Sequence, residues 1–385
     1  LGVTNRPYRQ ELSWDWPPAY DAYIMDLQSG ERTRVLENIQ AIPQLSPDGE
    51  YVAWWNRSDR TWEALATDDQ SRMTLSQGIP HSVYDHRHDV PYPPGPYGLA
   101  GWTEGDEQVL IYEKHDIWAV DPAQPEAARS VTEEVGRANN LRLRHVPLDP
   151  DREPAAWGDW PNPVDPPTVV PDGPLLLSAF NVETKAGGFY RDQVSGSGEP
   201  TELLTEERSF SDPQKADDAD RLLYTRESFQ EFPDLWVADR SFSDPTKIST
   251  VNPQQSEYRW GTAELMEWTS TNGETLEGIL YKPEDFDPSK EYPMMTYFYE
   301  QYSDDLYEHY APEAHRSIIN FTFYVSRGYV VFVPNVHYEM GYPGESAMQS
   351  VMPGVTRLAD KAWIDEENIG VQGHSWGGYQ IAHMV

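Results

Sequence analysis

The sequence predicts a β-propeller over residues 1–258 followed by an α/β domain with a parallel sheet and flanking helices over residues 259–385. Three observations predict it. Short aromatic strands and polar turns recur up to about residue 260 with almost no helical periodicity; beyond that point strand and helix patterns alternate; and a Gly-x-Ser-x-Gly motif separates the last strand from the last helix. At 385 residues the chain exceeds what one hydrophobic core usually serves, which agrees with two domains.

The first part reads as turn, strand, short gap, strand. Tyr23-Ile24-Met25-Asp26-Leu27 runs into the polar turn Gln28-Ser29-Gly30-Glu31. Pro47-Asp48-Gly49 then precedes the apolar strand Tyr51-Val52-Ala53-Trp54-Trp55, a turn with its own mechanism. Echoes follow at Gln108-Val109-Leu110-Ile111-Tyr112 with Ile117-Trp118-Ala119-Val120-Asp121, and at Leu222-Leu223-Tyr224-Thr225 with Leu235-Trp236-Val237-Ala238-Asp239. Roughly 40 to 50 residues per repeat is the spacing of propeller blades. A β-sandwich with similar strands is the competing reading. About five or six such units fit before residue 260, fewer than a seven- or eight-bladed ring needs, so a preceding segment is expected. The Pro-rich stretch Val146 to Pro174 is expected to be a long loop or insertion.

The formal charge is −35, from 64 acidic and 29 basic residues, with the acids spread along the whole chain. Such a surface excludes nucleic acid and anionic membranes as partners, because both require positive fields. Either an acidic soluble surface or adaptation to high salt accounts for it, since screening relieves carboxylate repulsion. A melting series separates the two: no gain in stability between low and molar salt removes the second. With no cysteine, disulfide and thiolate chemistry are excluded. No run approaches the roughly 18 apolar residues of a membrane span. The compartment stays open, a periplasmic or secreted location being preferred to a cytoplasmic one, and the oligomeric state is not legible.

From residue 260 the texture changes. Glu264-Leu265-Met266-Glu267-Trp268 and Leu276-Glu277-Gly278-Ile279-Leu280-Tyr281 flank Asn272-Gly273, a strong hairpin signal. Met294 to Tyr299 predicts a buried strand, Ala314 to Arg327 a helix closed by Gly328, and Tyr329 to Pro334 a central parallel strand. A second helix is expected near Val355 to Ala362, and Ile369 to Gln372 is the next strand.

Gly373-His374-Ser375-Trp376-Gly377 directly follows that strand and precedes a helical stretch from Tyr379 to Met384. Gly-x-Ser-x-Gly alone is common; its position here is what counts. A nucleophile on a strand-to-helix turn adopts strained backbone angles, and Gly373 and Gly377 offer no side chain to collide with the adjoining elements. The helix N-terminus favours negative charge developing nearby. These observations single out Ser375 as a nucleophile.

Gly373-His374-Ser375-Trp376-Gly377-Gly378-Tyr379 resembles the Gly-x-Ser-[Tyr/Trp/Phe]-Gly-Gly elbow of the prolyl oligopeptidase family, which includes prolyl oligopeptidases, dipeptidyl peptidases and acylaminoacyl peptidases. The similarity extends through Gly278-Ile279-Leu280-Tyr281-Lys282-Pro283, Tyr292-Pro293-Met294-Met295, Arg327-Gly328-Tyr329-Val330-Val331 and the loop Gly341-Tyr342-Pro343-Gly344. It is strong over residues 260–385 and looser before them. The resemblance implies a β-propeller followed by an α/β-hydrolase domain, and a serine peptidase that cleaves short peptides through an acyl-enzyme on Ser375, with no metal or organic cofactor. It further implies that Tyr299, placed by its spacing from Tyr292-Pro293, donates its hydroxyl to the oxyanion, with the backbone N–H of Trp376 as second donor. If the register slips, Tyr297 or Tyr302 takes that place.

The triad of such hydrolases runs Ser, then Asp or Glu, then His. Only ten residues follow Ser375. The acid and base are therefore expected beyond Val385, and residues 1–385 alone are expected to be inactive, because loss of the base removes on the order of a million-fold in turnover. His383 lies eight residues along the helix and is expected to point away from the elbow, while His337 and His374 precede the serine. His86-Arg87-His88 has the spacing of two metal ligands on one strand face, but no third ligand is evident and a surface loop is expected. The Asp-rich run Ala216 to Asp220 lacks the Gly and terminal Glu of a calcium loop and is expected to be a solvated turn. Glu206-Glu207 leaves exo- versus endo-cleavage and proline preference undecided. An esterase or lipase using the same elbow, and a propeller binding protein carrying an inactive hydrolase, remain as alternatives.

Overall fold

The computed structural model describes residues 1–148, 168–171, 173–314 and 318–385. The Pro-rich stretch Val146 to Pro174 lies mostly outside them. The contacts divide the chain into two units: Leu1–His88, Tyr92–Asn181 and Phe189–Leu204 form one, and Asp89–Pro91, Val182–Gly188 and Thr205–Val385 the other. No helix among the described residues is long and apolar enough to cross a membrane.

Up to residue 247 the chain builds a succession of small sheets in sequence order, almost wholly antiparallel. The strands Tyr20–Met25 and Arg32–Ile39 pair across the turn that Asp26 organises by accepting the Gln28 and Ser29 N–H groups (2.8 and 2.7 Å). Tyr51–Asn56 pairs with Thr61–Ala66, setting Trp55 opposite Trp62 with their rings edge to face at 5.7 Å. Cross-strand aromatic pairs of this kind stabilise a sheet. The Pro47-Asp48-Gly49 turn takes the positive φ that glycine permits (+82° at Gly49). It is fastened from outside its own sheet: buried Asp106 accepts Ser46 Oγ (2.5 Å), Asp48 N (3.1 Å) and Glu50 N (3.2 Å). Val109–Tyr112 and Ile117–Val120 pair antiparallel and are buried throughout. Further sheets hold Leu141–Val146 with Leu175–Asn181, and Leu222–Glu227 with Asp234–Ala238.

Asp192 stands apart in this part of the chain. It is buried at 8% exposure, its Oδ2 has no hydrogen-bond partner among the described residues, and Oδ1 accepts only Gln193 N (2.8 Å). Burial pushes its carboxyl up to about 6. The folded state therefore holds a proton that the unfolded chain releases at lower pH, so this group's contribution to stability falls as pH rises from about 4 to about 6 and is constant above. Asp192→Asn removes the buried charge. In the intact protein it is expected to add up to about 2 kcal/mol of stability at pH 7.5 and nothing at pH 4. Melting curves of both proteins at the two pH values check this; an equal shift at both contradicts it.

The second unit contains a five-stranded mixed sheet. Its strands are β1 (Thr262–Thr269), β2 (Thr275–Lys282), β3 (Tyr292–Tyr297), β4 (Val330–Pro334) and β5 (Ile364–Gln372), in the order β1-β2-β4-β3-β5. Strands β4, β3 and β5 are parallel, whereas β1 and β2 form a hairpin and β2 meets β4 antiparallel. The expected parallel sheet is thus corrected to a parallel half extended by an antiparallel hairpin. Gly278 makes the junction possible, since a Cβ there would stand 2.6 Å from the Val333 carbonyl oxygen. Fully buried β4 is the central strand, as its apolar run requires. The hairpin loop is longer than a two-residue Asn-Gly turn: pairing stops at Thr269 and Thr275, and Ser270 Oγ accepts Glu274 N (3.0 Å) to close the loop.

The helices also depart from expectation. Instead of spanning Ala314 to Arg327, α1 covers Phe321–Val325, residues 315–317 lying outside the described chain. Asn320 sets its start, because the side-chain oxygen caps Phe323 N (2.7 Å) and ends the possibility of continuing upstream. Helix α2 runs Pro343–Ala359, far longer than the expected Val355 to Ala362, with Pro353 inside it. Proline deprives the carbonyl four residues earlier of its donor. Here Thr271 N takes that Gln349 carbonyl (3.2 Å), and Trp268 Nε1 donates to the next one, Ser350 O (2.8 Å). The face Ala347, Ser350, Val351, Gly354 and Leu358 is buried at helical spacing, and Gly354 admits the ring of Phe332. Tertiary packing outweighs the local breakers. Helix α3 covers Trp376–Met384.

Candidate active site

Ser375 lies between β5 and α3 with φ 53° and ψ −115°. A positive φ is uncommon for a residue with a side chain, and this ψ is outside the left-handed helical well, so the conformation costs on the order of 1–3 kcal/mol. The neighbouring glycines make it possible. A Cβ at Gly373 would stand 2.7 Å from the carbonyl carbon of Gly377 and from Ile381 Cδ1, and one at Gly377 would stand 2.8 Å from Phe298 O. Gly378 is different, since a Cβ there would meet only Gly373 O at 3.7 Å, an ordinary contact. The steric requirement therefore falls on Gly373 and Gly377.

The same close packing brings Tyr299 to the elbow. β3 ends at Tyr297, Phe298 is fully buried beside Val336, Ala347 and Val351, and Tyr299 follows with its Cδ2 3.7 Å from a Cβ built on Gly377. Tyr297 and Tyr302 are committed elsewhere. Their hydroxyls lie 3.4 Å apart in a separate cluster with Phe321 of α1, and burial raises both phenols above their usual range. Trp376 opens α3, where the first backbone N–H groups have no acceptor within the helix. Its indole stacks on Tyr379 at 5.5 Å and meets Tyr338 edge to face at 6.0 Å. Ser375, His374 and Trp376 are exposed.

The loop after Tyr299 is anchored by groups that no motif announced. Asn335, just past β4, accepts Tyr302 N (2.7 Å) and Ser303 N (3.0 Å) on Oδ1 and donates Nδ2 to Ser303 Oγ (2.7 Å). Ser303 Oγ in turn donates to Glu277 Oε1 (2.7 Å). The same carboxylate receives Lys185 Nζ (2.5 Å), whose side chain is almost fully buried and also reaches Asp304 Oδ1 (3.2 Å) and Val182 O (2.8 Å). A buried ammonium requires this degree of pairing.

The histidines are placed as follows. The ring of His383 packs on α2, its Cγ 2.5 Å from a Cβ built on Gly344, and His337 Nδ1 lies 3.6 Å from Glu274. His374 immediately precedes the serine on the exposed turn. His86 Nδ1 pairs with Tyr97 OH (3.0 Å) and His88 Nε2 with Tyr92 O (2.6 Å), so the two imidazoles have separate partners. Among the described residues no group of His, Asp and Glu is arranged to hold a metal ion. The turn Ala216 to Asp220 closes through Ala216 N on Arg221 O (3.0 Å), and Asp220 pairs with Arg240 (2.9 Å). Glu206 is paired with Arg226 (3.1 Å), and the Glu207 carbonyl accepts Arg208 Nη1 (2.6 Å).

No family model matches the chain. Human dipeptidyl peptidase 8 is 30% identical over 128 residues, which cover 30% of this chain and 14% of that protein. Among solved structures, a putative dipeptidyl aminopeptidase IV from Bacteroides ovatus is similar with a TM-score of 0.61 and 14% identity, covering 94% of this chain and 52% of that one. Prolyl oligopeptidase B from Galerina marginata is similar with a TM-score of 0.56 and 11% identity, covering 94% of this chain and 49% of that one. The chain thus spans about half the length of these structures and a smaller share of the curated relative. At these identities the likeness is one of fold. It bears out the resemblance to the prolyl oligopeptidase family that the elbow and its flanking motifs carry.

Proposed function

We propose that the intact protein is a serine peptidase acting on short peptides, with residues 1–258 forming a propeller and residues 259–385 contributing to an α/β-hydrolase catalytic domain. The observation that carries this reading is the strained Ser375 elbow, with Tyr299 packed against Gly377 beside it. Ser375 Oγ attacks the peptide carbonyl as a general base removes its proton; the amine leaves, and water hydrolyses the acyl-enzyme. The Tyr299 hydroxyl and the Trp376 N–H stabilise the charge that appears on the carbonyl oxygen only in the tetrahedral intermediate, each contributing roughly 3 to 4 kcal/mol. His337 faces Glu274 and the His383 ring packs on Gly344, contacts that support seeking the base elsewhere. The triad acid and base are proposed to come from outside residues 1–385.

Hydrolysis of peptide amides compared with short-chain esters by the intact protein tests the substrate class. Faster turnover of the peptide amides is expected. Ester hydrolysis without amide hydrolysis would replace this reading with an esterase.

A further inference from the structure

The loop that carries Tyr299 is held near the elbow by an interaction that the proposed chemistry does not itself require. Tyr338, in the stretch after β4, donates its hydroxyl hydrogen to the backbone carbonyl of Tyr299. The same hydroxyl accepts from Gln380 Nε2. Gln380 lies on α3, five residues beyond Ser375, and is completely buried next to Ile381 and near Met384, which pack on a small apolar cluster. At such a position a leucine or methionine would bury without any polar group to satisfy; the glutamine instead places its amide nitrogen on Tyr338, although its Oε1 has no hydrogen-bond partner among the described residues.

The direction of the relay is fixed by chemistry. A carbonyl oxygen only accepts, so the Tyr338 hydrogen is committed to Tyr299 O; the hydroxyl oxygen is then left to accept, and the amide must present its nitrogen. Burial raises the phenol well above its usual range, tempered by the Gln380 and Trp376 side chains, so the hydrogen remains in place throughout the working pH range. Tyr338 is itself located by its N–H on Asp89 Oδ2 (3.1 Å) and by the Trp376 ring against its own. Helix, hydroxyl and loop therefore form one unit: the element that begins at the nucleophile grips the carbonyl of the residue that supplies the oxyanion donor.

We propose that Tyr338, held by Gln380, is a positioning residue that sets Tyr299 against Ser375. This rests on the peptidase reading above. Tyr338 touches neither substrate nor the reacting atoms in this account; it acts through Tyr299. A displacement of 1 Å in such a site costs about a hundredfold in rate, and loss of one tether should produce a fraction of that.

The test is a double-mutant cycle in the intact protein, measured as kcat and KM on a peptide amide. Tyr338→Phe removes only the hydroxyl. It is expected to lower kcat on the order of tenfold with KM changed less than about twofold, because the tether affects transition-state stabilisation and not ground-state binding. In a Tyr299→Phe background the same change is expected to cost less than about twofold, since the group it positions has gone. Gln380→Met is expected to act in the same direction as Tyr338→Phe, and it decides the matter if Tyr338→Phe does not fold. An unchanged kcat in these single variants overturns the proposal, as does a tenfold loss that persists in the Tyr299→Phe background. Full activity of Ser375→Ala would instead overturn the peptidase reading, and this inference with it.

Discussion

Replacing Ser375 by Ala in the intact protein is expected to lower kcat on the order of a million-fold while leaving KM and the melting temperature close to those of the unmodified protein. The size follows from the way a nucleophile and its base act as a unit: once either is absent, what remains is binding and oxyanion stabilisation. The unchanged fold follows from local geometry. Ser375 is exposed, and the features that make its backbone conformation possible are Gly373 and Gly377, which the substitution leaves untouched. The φ of 53° and ψ of −115° remain strained for Ala as for Ser. Steady-state kinetics with a thermal melt of both proteins checks this; a variant retaining more than about one per cent of kcat would show that another residue carries the chemistry.

The second large effect concerns Tyr299. Tyr299→Phe is expected to reduce kcat by about a hundred- to a thousandfold, the range for loss of one preorganised oxyanion donor, with KM little changed. The ring is retained, so its contact beside Gly377 and the loop anchored by Asn335 are preserved. Tyr297→Phe and Tyr302→Phe make suitable comparisons, because those two hydroxyls face one another in the cluster around Phe321. They are expected to leave kcat within about threefold. A large loss in Tyr297→Phe with none in Tyr299→Phe would move the donor to the other tyrosine and reverse the register argument.

What the sequence made legible was whatever rests on local chemistry. The elbow could be read because strand, glycines, serine and helix are consecutive, and the steric reasons for Gly373 and Gly377 are local as well. Antiparallel partners such as Val109–Tyr112 and Ile117–Val120 were visible as neighbouring apolar, aromatic strands across a short polar gap. The misread helices show where local signals lose. The expected helix near Val355 to Ala362 left out two prolines that α2 contains: Pro343 sits in its first turn, where its missing N–H is harmless, and the carbonyl left by Pro353 is taken by Thr271. The antiparallel junction of β2 with β4 was likewise invisible, because apolar runs look alike in either orientation. The tethers around the site were out of reach for the same reason. Tyr338 and Gln380 are 42 residues apart and Lys185 and Glu277 are 92 apart, and neither pair belongs to a periodic pattern. Two cues were available, a glutamine on the apolar stretch of α3 and an asparagine directly after a wholly apolar strand, polar residues where packing alone would select none.

The central claim, that the elbow presents a reactive serine, is tested most directly by covalent labelling. The intact protein is treated with a fluorophosphonate, digested, and the modified residue located by mass spectrometry. A single adduct on Ser375 that is lost in Ser375→Ala is the expected result. Absence of any adduct, or modification of a different serine with Ser375 untouched, would contradict the account.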